Sequence, residues 1–417
     1  MSKLIINGGR KLEGKIRIAG MKNAATPILA ACLLADKPCV IKNIPDIADV
    51  RIMIEILKSL GLGVSFENHT VTTLPGKINL KKVDEHLIKK LRSSILLLGP
   101  LIAKLGNVVL PEPGGCIIGK RPIDTHLYAL EALGASIKHQ NGKIILKARE
   151  LVGKTIILPE FSVTATENLL MAASLARGKT IIKMAAIEPH IEDLIKFLNT
   201  LGAKIKMSAG HTIIVDGVKK LGGGEHAVIP DSIEAGTLAV AALVTKGKIT
   251  LEGVNHEHME AVYSLLQRMG AKIEKNKSSV TIFGENRLNE FKLQALPYPG
   301  FPTDLQAPFG LLATQCHGTS LIHDPMYEGR LSYINELIKM GAVATVCDPH
   351  RVLVSGPTKL YGTEIKGLDL RAGATLVLAG LIAKGKTMVD GAENLDRGYE
   401  RFDERLRSLG ADIERVE

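Results

Sequence analysis

A short element that ends a helix occurs six times along this chain of 417 residues. Each copy reads Leu-Gly or Met-Gly, follows an amphipathic stretch and precedes a short stretch of alternating apolar and polar residues. In the first copy Val50, Met53 and Ile54 begin the i, i+3, i+4 spacing of a helix with one buried face, and Gly61 stands where a C′ glycine would end that helix. A recurrence at about 70 residues predicts six copies of one α/β unit. The six glycines are Gly61, Gly134, Gly202, Gly270, Gly341 and Gly410.

A second recurring segment lies upstream of the first, is rich in Ala and Leu, and is apolar on most faces. We expect it to form a buried helix, so that each unit supplies two helices and three or four strands. Each such unit is longer than the common solenoid repeats. Three units together make one domain of ordinary size. The sequence therefore predicts an α/β fold of two domains, residues 22–230 and residues 1–21 with 231–417. Examples of the buried segment are residues 24–35, 165–177, 234–246 and 372–384.

The formal net charge is +10, and no run of five or more Lys and Arg residues concentrates it. Aromatic residues make up 4% of the chain and include no Trp, so few side chains are available to stack on bases. The charge therefore favours small anionic ligands over nucleic acid as the partners.

The five cysteines are odd in number and contain no C-x-x-C pair. That pattern argues against a disulfide framework and against a zinc site, and it favours a reducing compartment. The first residues lack the apolar core of a signal peptide, and no apolar stretch approaches membrane-spanning length. We expect a cytoplasmic protein without membrane insertion, and a monomer.

Cys116 lies in a loop bracketed by glycines, Pro-Gly-Gly-Cys-Ile-Ile-Gly-Lys-Arg-Pro. The glycines allow backbone N–H groups to approach an anion closely. Lys120 and Arg121 add positive charge, which would lower the pKa of the thiol and favour the thiolate. These residues alone leave two interpretations open, an activated thiol and a small core residue in an ordinary turn.

Four cations stand where buried helices are expected to begin or in well-defined turns, and two acids stand in similar places. A cation at a helix N-terminus opposes the helix dipole, which suggests an anion between them. Surface cations and N-capping acids remain the alternatives for any single residue. The residues are Lys22, Arg92, Arg371, Arg397, Asp304 and Asp369.

Taken in order, six motifs resemble the UDP-N-acetylglucosamine enolpyruvyl transferase family from end to end. The resemblance implies two inverted α/β barrels of three repeats each, with the active site in the cleft between them. It also implies transfer of the enolpyruvyl group of phosphoenolpyruvate to the sugar 3-hydroxyl with release of phosphate, the first committed step of peptidoglycan synthesis. The motifs are Lys22-Asn23-Ala24-Ala25, Gly114-Gly115-Cys116 through Asp124, Ser162-Val163, Phe301-Pro302-Thr303-Asp304, Asp369-Leu370-Arg371-Ala372 and Asp396-Arg397-Gly398-Tyr399-Glu400-Arg401.

By the same resemblance, Cys116 delivers a proton to the enol methylene carbon, can form a covalent adduct, and is alkylated by the epoxide fosfomycin. Asp304 accepts the proton of the sugar hydroxyl, and Asn23 and Asp369 orient and stabilise the intermediate. No metal and no other cofactor takes part.

Phosphoenolpyruvate carries a phosphate and a carboxylate, and the UDP-sugar carries a diphosphate, so the family needs several cations. The resemblance implies that phosphoenolpyruvate is bound by Lys22, Arg121 and Arg397. Arg371 lines the same anionic pocket, and Arg92 lies near the cleft. The implied nucleotide-sugar contacts are Arg121, Pro122, Ile123, Asp124, Ser162, Val163 and Met326.

The chain departs from the family pattern near the expected sugar contacts. Thr164 stands where Gly is usual, Glu160 lies just before the Ser-Val motif, and residues 326–330 read Met-Tyr-Glu-Gly-Arg. Three alternatives therefore stay open beside the main hypothesis. They are transfer to shikimate phosphate, transfer to a modified nucleotide sugar, and a catalytically silent paralogue that serves as a binding scaffold.

Overall fold

A computed structural model describes residues 2–114, 122–285, 287–367 and 369–416 of the chain. The described residues form two compact units. We call residues 20–114 and 122–229 the central unit, and the described residues of 2–19 and 230–416 the terminal unit, because the latter holds both ends of the chain.

The central unit contains seven described α-helices and eleven described strands. Short 3₁₀ segments, including Cys32–Leu34 and Arg92–Leu97, continue or precede its helices. The helices are α1 (Lys22–Ala31), α2 (Ala48–Leu60), α3 (Glu85–Lys90), α4 (Leu98–Leu105), α5 (Asp124–Ala132), α6 (Val163–Ala173) and α7 (Pro189–Thr200). The strands are β3 (Cys39–Lys42), β4 (Gly63–Glu67), β5 (Thr70–Leu74), β6 (Asn107–Pro111), β7 (Ser136–Gln140), β8 (Lys143–Lys147), β9 (Thr155–Ile157), β10 (Lys179–Lys183), β11 (Lys204–Ser208), β12 (Thr212–Asp216) and β13 (Gly224–Ala227).

The terminal unit has the same kind of composition, with six described α-helices. They are α8 (Ser232–Val244), α9 (Glu260–Arg268), α10 (Gln306–Ala313), α11 (Tyr333–Lys339), α12 (Leu370–Ile382) and α13 (Phe402–Ser408). The strands are β1 (Lys3–Asn7), β2 (Glu13–Arg17), β14 (Lys248–Glu252), β15 (Lys272–Lys275), β16 (Ser279–Phe283), β17 (Lys292–Gln294), β18 (Gly318–His323), β19 (Val343–Asp348), β20 (Arg351–Gly356), β21 (Glu364–Lys366), β22 (Lys386–Asp390) and β23 (Asp412–Val416).

Each unit holds three small sheets, and four of the six follow one plan. A hairpin pairs antiparallel with a third strand, and a strand from elsewhere in the unit adds in parallel to the free edge of that third strand. Parallel edge pairs are β3 with β13, β9 with β10, β2 with β14, β17 with β18 and β21 with β22. The sheet β6-β8-β7 has three strands among the described residues.

The buried helices lie inside each unit because both their faces are apolar. In the terminal unit α8, α10 and α12 contact one another, and every α12 residue from Arg371 to Leu381 is buried. In the central unit α4 and α6 pack together, and Asn168 of α6 joins them by accepting from the Gly99 N–H at 2.7 Å and donating to the Ile95 carbonyl at 3.0 Å.

The six predicted C′ glycines all adopt the left-handed conformation, with φ between 91° at Gly270 and 108° at Gly134. A residue with a Cβ is strained at such an angle, so Gly ends each amphipathic helix at little cost. The sixfold pattern read from the sequence is therefore confirmed in the backbone. No helix in the described part of the chain has the length and apolarity that a membrane crossing needs.

Candidate active site

Asp304 lies in the 3₁₀ turn Thr303–Leu305 that leads into α10, and two arginines flank its carboxylate. Arg330 Nη2 contacts Oδ1. Arg371 donates to Oδ2 through Nε at 3.1 Å and Nη2 at 2.9 Å. The side chain of Asp304 is 23% exposed, whereas those of Arg330 and Arg371 are 7% and 4% exposed. The side chain of Asp304 is therefore the most accessible of the three.

Burial by itself would raise the pKa of Asp304, but the charges of Arg371 and Arg330 outweigh it. Together with their hydrogen bonds they hold the pKa of this carboxyl far below its usual value. Asp304 is thus a firmly ionised carboxylate in the unliganded protein.

Asp369 and Arg371 stand at the beginning of α12. Asp369 is its N-cap, and Oδ1 accepts from the backbone N–H groups of Arg371 at 2.8 Å and Ala372 at 3.1 Å. The guanidinium carbon of Arg371 lies 5.1 Å from the ring centroid of Tyr399, and the Tyr399 hydroxyl hydrogen-bonds Thr237 of α8 at 2.9 Å. Arg371 is thereby held from both sides.

Met326 and Arg397 complete the predicted residues of the terminal unit. The backbone N–H of Met326 donates to Asp324 Oδ1 at 2.9 Å, and the Met326 side chain is exposed. Arg397 is the last residue of the 3₁₀ segment Ala392–Arg397 and is half-buried.

Lys22 is the first residue of α1, and its Nζ lies 2.7 Å from Asp49 Oδ2 in the first turn of α2. The Lys22 side chain is 14% exposed and that of Asp49 is 4% exposed. A buried acid thus holds the lysine in place beside α1. Asn23 follows in the same turn and is half-buried.

Arg92 opens the 3₁₀ segment before α4, and its Nη1 donates to the Gly114 carbonyl at 3.4 Å. It therefore supports the stem of the predicted cysteine loop. Cys116 and Arg121 lie outside the described residues, and their assigned roles stay predictions.

The predicted nucleotide-sugar contacts that are described cluster at the N-termini of α5 and α6. Pro122 and Ile123 precede α5, which Asp124 begins, and Ser162 precedes α6, which Val163 begins. Backbone N–H groups at such helix ends favour anions.

The two helix starts are also tied to each other by the residues that depart from the family pattern. Thr125 donates to Glu160 at 2.9 Å, and Thr164 lies 2.7 Å from His126 Nε2. Glu160 and Thr164 therefore each have a partner within the central unit.

Sequence reasoning did not assign a role to Arg330 or Asp49, the partners of Asp304 and Lys22. Asp49 has the appearance of an ordinary acid in the first turn of a helix, and Arg330 lies in a stretch whose only signal was its departure from the family pattern. Among the described residues no group of three or more His, Cys, Asp or Glu side chains could hold a metal ion.

Comparison with known proteins assigns the chain to a family. The sequence profile of the EPSP synthase (3-phosphoshikimate 1-carboxyvinyltransferase) family matches residues 6–406. A protein of Halothermothrix orenii named UDP-N-acetylglucosamine 1-carboxyvinyltransferase is 44% identical over 416 residues, which is 100% of both chains. One of Methylacidiphilum infernorum with the same name is 45% identical over 419 residues, 100% of this chain and 99% of the relative.

Solved structures show the same fold. The enolpyruvyl transferase NikO from Streptomyces tendae superposes with a TM-score of 0.91 at 25% identity, covering 100% of this chain and 99% of that one. EPSP synthase from Acinetobacter baumannii gives a TM-score of 0.78 at 21% identity over the full length of both chains. These neighbours confirm the predicted fold class, two inverted α/β barrel domains. The chain belongs to the UDP-N-acetylglucosamine 1-carboxyvinyltransferase family, within the wider EPSP synthase family of carboxyvinyltransferases.

Proposed function

We propose that this protein transfers the enolpyruvyl group of phosphoenolpyruvate to the 3-hydroxyl of UDP-N-acetylglucosamine and releases phosphate, in the first committed step of peptidoglycan synthesis. The observation that carries the proposal is the full-length identity of 41–45% to relatives that are named for this reaction. Phosphoenolpyruvate and nucleotide sugars are cytoplasmic metabolites, so we place the reaction in the cytoplasm.

The addition step needs a base, an acid and a set of cations. Asp304 accepts the proton of the sugar hydroxyl while the sugar oxygen forms a bond to C2 of phosphoenolpyruvate. Cys116 gives a proton to C3 in the same step. Elimination then returns a proton from C3, breaks the bond from C2 to the phosphate oxygen and restores the double bond. Asp304 is ionised, as a proton acceptor must be, although the charges of its two arginine partners also lower its pKa and so weaken it as a base.

Two anionic substrates must be held side by side, and buried cations suit that task because they are fixed before binding. Lys22, Arg121 and Arg397 bind phosphoenolpyruvate, with Arg371 beside them and Arg92 near the same cleft. Asn23 and Asp369 orient the intermediate. The position of Lys22 against a buried acid supports this assignment for the lysine.

The nucleotide sugar is bound by residues from both predicted domains, 22–230 and 1–21 with 231–417, in a cleft between them. The two helix starts of the central unit offer backbone donors to the diphosphate. The residues in this set are Arg121, Pro122, Ile123, Asp124, Ser162, Val163, Asp304 and Met326.

Phosphate release tests the function directly. Purified protein is incubated with phosphoenolpyruvate and either UDP-N-acetylglucosamine or shikimate phosphate, and inorganic phosphate is followed over time. We expect release with the nucleotide sugar and none with shikimate phosphate. Release with shikimate phosphate alone would assign the chain to the other reaction, and folded protein that releases phosphate with neither acceptor would contradict the proposal.

Fosfomycin provides the control for the cysteine. Intact mass should rise by one adduct in the wild type and by none in Cys116→Asp. Of the cysteines that the structure describes, Cys347 is exposed while Cys32, Cys39 and Cys316 are buried. Cys347→Ser should therefore still take one adduct, and an adduct that persists in Cys116→Asp would show that the assignment is wrong.

A further inference from the structure

The described chain passes between the two units at two links, which we call the crossings. The first crossing joins Ala19 to Gly20, and the second joins Ile229 to Pro230. Each follows a strand that pairs in parallel at the edge of a sheet: β2, beside β14, leads to the first, and β13, beside β3, leads to the second.

The parallel pairing continues one residue beyond each of these strands. The Ile18 N–H donates to the Glu252 carbonyl at 2.8 Å, and the Val228 N–H donates to the Lys42 carbonyl at 3.0 Å. The next residue in each case is the last one before the crossing.

A buried carboxylate accepts the N–H group of that last residue in both units. The Ala19 N–H donates to Glu234 Oε2 of α8 at 2.8 Å, and the Ile229 N–H donates to Asp193 Oδ2 of α7 at 3.2 Å. The side chains of Glu234 and Asp193 are 3% and 2% exposed. In each unit an acid from a helix therefore extends the hydrogen bonding of the edge strand up to the crossing.

The second oxygen of each acid pairs with a basic side chain of the same unit. Glu234 Oε1 lies 3.2 Å from Arg405 Nη2, which also donates to the Arg17 carbonyl of β2 at 2.8 Å. Asp193 Oδ1 lies 2.9 Å from Nε2 of His226, a residue of β13. Each acid is thus linked a second time to the strand that leads to its crossing.

The carbonyl groups of the same two residues are bonded as well. Within the terminal unit the Asp231 N–H donates to the Ala19 carbonyl at 2.9 Å, and within the central unit the Met21 N–H donates to the Ile229 carbonyl at 2.8 Å. Ala19 and Ile229 therefore have both of their backbone polar groups bonded inside their own unit.

We propose that Glu234 and Asp193 are positioning residues that anchor the two crossings, each to its own unit, and so confine bending between the units to the link between Ala19 and Gly20 and the link between Ile229 and Pro230. A bond from a backbone N–H to a carboxylate is about twice as strong as one to a neutral acceptor, so an anchor of this type resists rotation of the peptide it holds. The inference goes beyond the proposed function by locating the hinge, and it rests on that function where substrate binding uses the hinge.

Residue-resolved hydrogen exchange in the unliganded protein tests the anchors. Glu234→Gln should raise the exchange rate of the Ala19 amide by about tenfold and leave that of Ile229 at the wild-type rate, because a neutral acceptor replaces a charged one. Asp193→Asn should accelerate Ile229 and leave Ala19 unchanged. Equal acceleration of both amides in each variant would indicate a loss of global stability, and unchanged rates would show that the acids anchor nothing; either result would overturn the inference.

The exchange is measured at pH 8, where Glu234 is mostly ionised. Burial raises the pKa of Glu234 to about 7; the charge of Arg405 opposes this shift, and those of Asp231 and Glu400 add to it. The carboxylate that pairs with Arg405 therefore predominates at the pH of the measurement.

Glu336→Gln is the matched control, because Glu336 of α11 has the same arrangement away from the crossings. Its Oε2 accepts from the Lys366 N–H at 3.1 Å, its Oε1 lies 2.6 Å from Lys339 Nζ, and its side chain is 8% exposed. This variant should accelerate the Lys366 amide and leave Ala19 and Ile229 at their wild-type rates. Acceleration of Ala19 and Ile229 here would show that these amides follow overall stability, and it would contradict the anchors.

Turnover connects the anchors to the proposed function. A loosened hinge should lower kcat and raise KM for the nucleotide sugar together in Glu234→Gln and in Asp193→Asn. Faster exchange at a crossing with wild-type kcat and KM would contradict a hinge that substrate binding uses. Wild-type protein that is inactive with both acceptors would instead contradict the function, and the exchange rates would still decide whether the two acids anchor the crossings.

Discussion

Asp304 and Glu167 are both carboxyl groups with restricted access to water, and their neighbours give them opposite properties. Asp304 faces two guanidiniums, which keep its pKa far below the usual value. Glu167 of α6 is 1% exposed, its Oε1 has no hydrogen-bond partner among the described residues, and the charge it feels is that of Glu188. Burial first, and then Glu188, raise the pKa of Glu167 well above its usual value. The same functional group is therefore favoured as an anion at one place and as the protonated acid at the other.

Glu167→Gln should change the free energy of unfolding in a pH-dependent way. Glu167 holds its proton more tightly in the folded protein than in the unfolded chain, where its pKa is about 4.3. The wild type thus loses stability as the pH rises above that value, whereas Gln has no proton to lose. Urea unfolding should show similar stability near pH 4.5, and a gain of about 1–3 kcal/mol for Glu167→Gln at pH 8.

Glu192→Gln is the control for that measurement, because the Glu192 side chain in α7 is 47% exposed and forms its ion pair with Lys196 on the same helix. It should change the free energy of unfolding by less than about 0.5 kcal/mol at either pH. Equal effects of Glu167→Gln at both pH values would show that its carboxyl is not held neutral in the folded protein.

The sequence indicated Asp304 and Arg371 as candidate residues, and the structure brings them into direct contact. It gave no such indication for Arg330 or Asp49, whose importance comes only from what they touch. Arg330 contacts Asp304, which lies 26 residues earlier in the sequence, and Asp49 of α2 pairs with Lys22 of α1. Pairings of this kind depend on the packing of several elements, and no local spacing encodes them.

At the scale of elements, the local sequence was sufficient to predict the structure wherever a residue affects only its own helix or strand. The six glycines end their helices because left-handed backbone favours Gly, and the Ala-rich segments are buried because both faces are apolar. The parallel edge strands could not be predicted in the same way. Strand β13 pairs with β3, and β14 pairs with β2, across stretches of chain whose local pattern names no partner.

Asp369 caps α12 and is also proposed to stabilise the reaction intermediate, and two substitutions separate these functions. Asp369→Asn keeps an oxygen that can cap α12, and Asp369→Ala removes it. Thermal or urea unfolding should show Asn close to the wild type and Ala less stable by about 1 kcal/mol. Both variants should lose turnover if the charge of Asp369 stabilises the intermediate. An Asp369→Asn variant with full turnover would leave Asp369 as a helix cap only.

At the scale of the whole molecule, each unit has its own buried helices and its own three sheets. The described chain passes between the units only between Ala19 and Gly20 and between Ile229 and Pro230. If the substrates bind to residues of both units, as the proposed function requires, these few covalent connections would allow the units to move on binding.

Solution scattering tests this consequence of the proposed site. We expect a monomer whose radius of gyration decreases when UDP-N-acetylglucosamine and a non-reacting phosphoenolpyruvate analogue are both present, because closure excludes water from the reacting groups. UDP alone is the control and should produce a smaller change. A radius that stays constant at saturating ligand, checked by equilibrium binding, would argue against a site that closes between the units.

The contacts of Asp304 also bear on how a protein of this family could lose its activity in evolution. Arg371 joins Asp304, next to α10, to Tyr399, which in turn bonds Thr237 of α8. Replacing Asp304 with a neutral residue would leave two buried guanidiniums facing each other, a change that costs on the order of 3–5 kcal/mol when a buried pair loses one partner. A duplicated copy could therefore not become a silent scaffold by a single substitution at this position without also losing much of its folded population. Inactive descendants should arise through other positions first, or through paired changes that remove an arginine together with the acid.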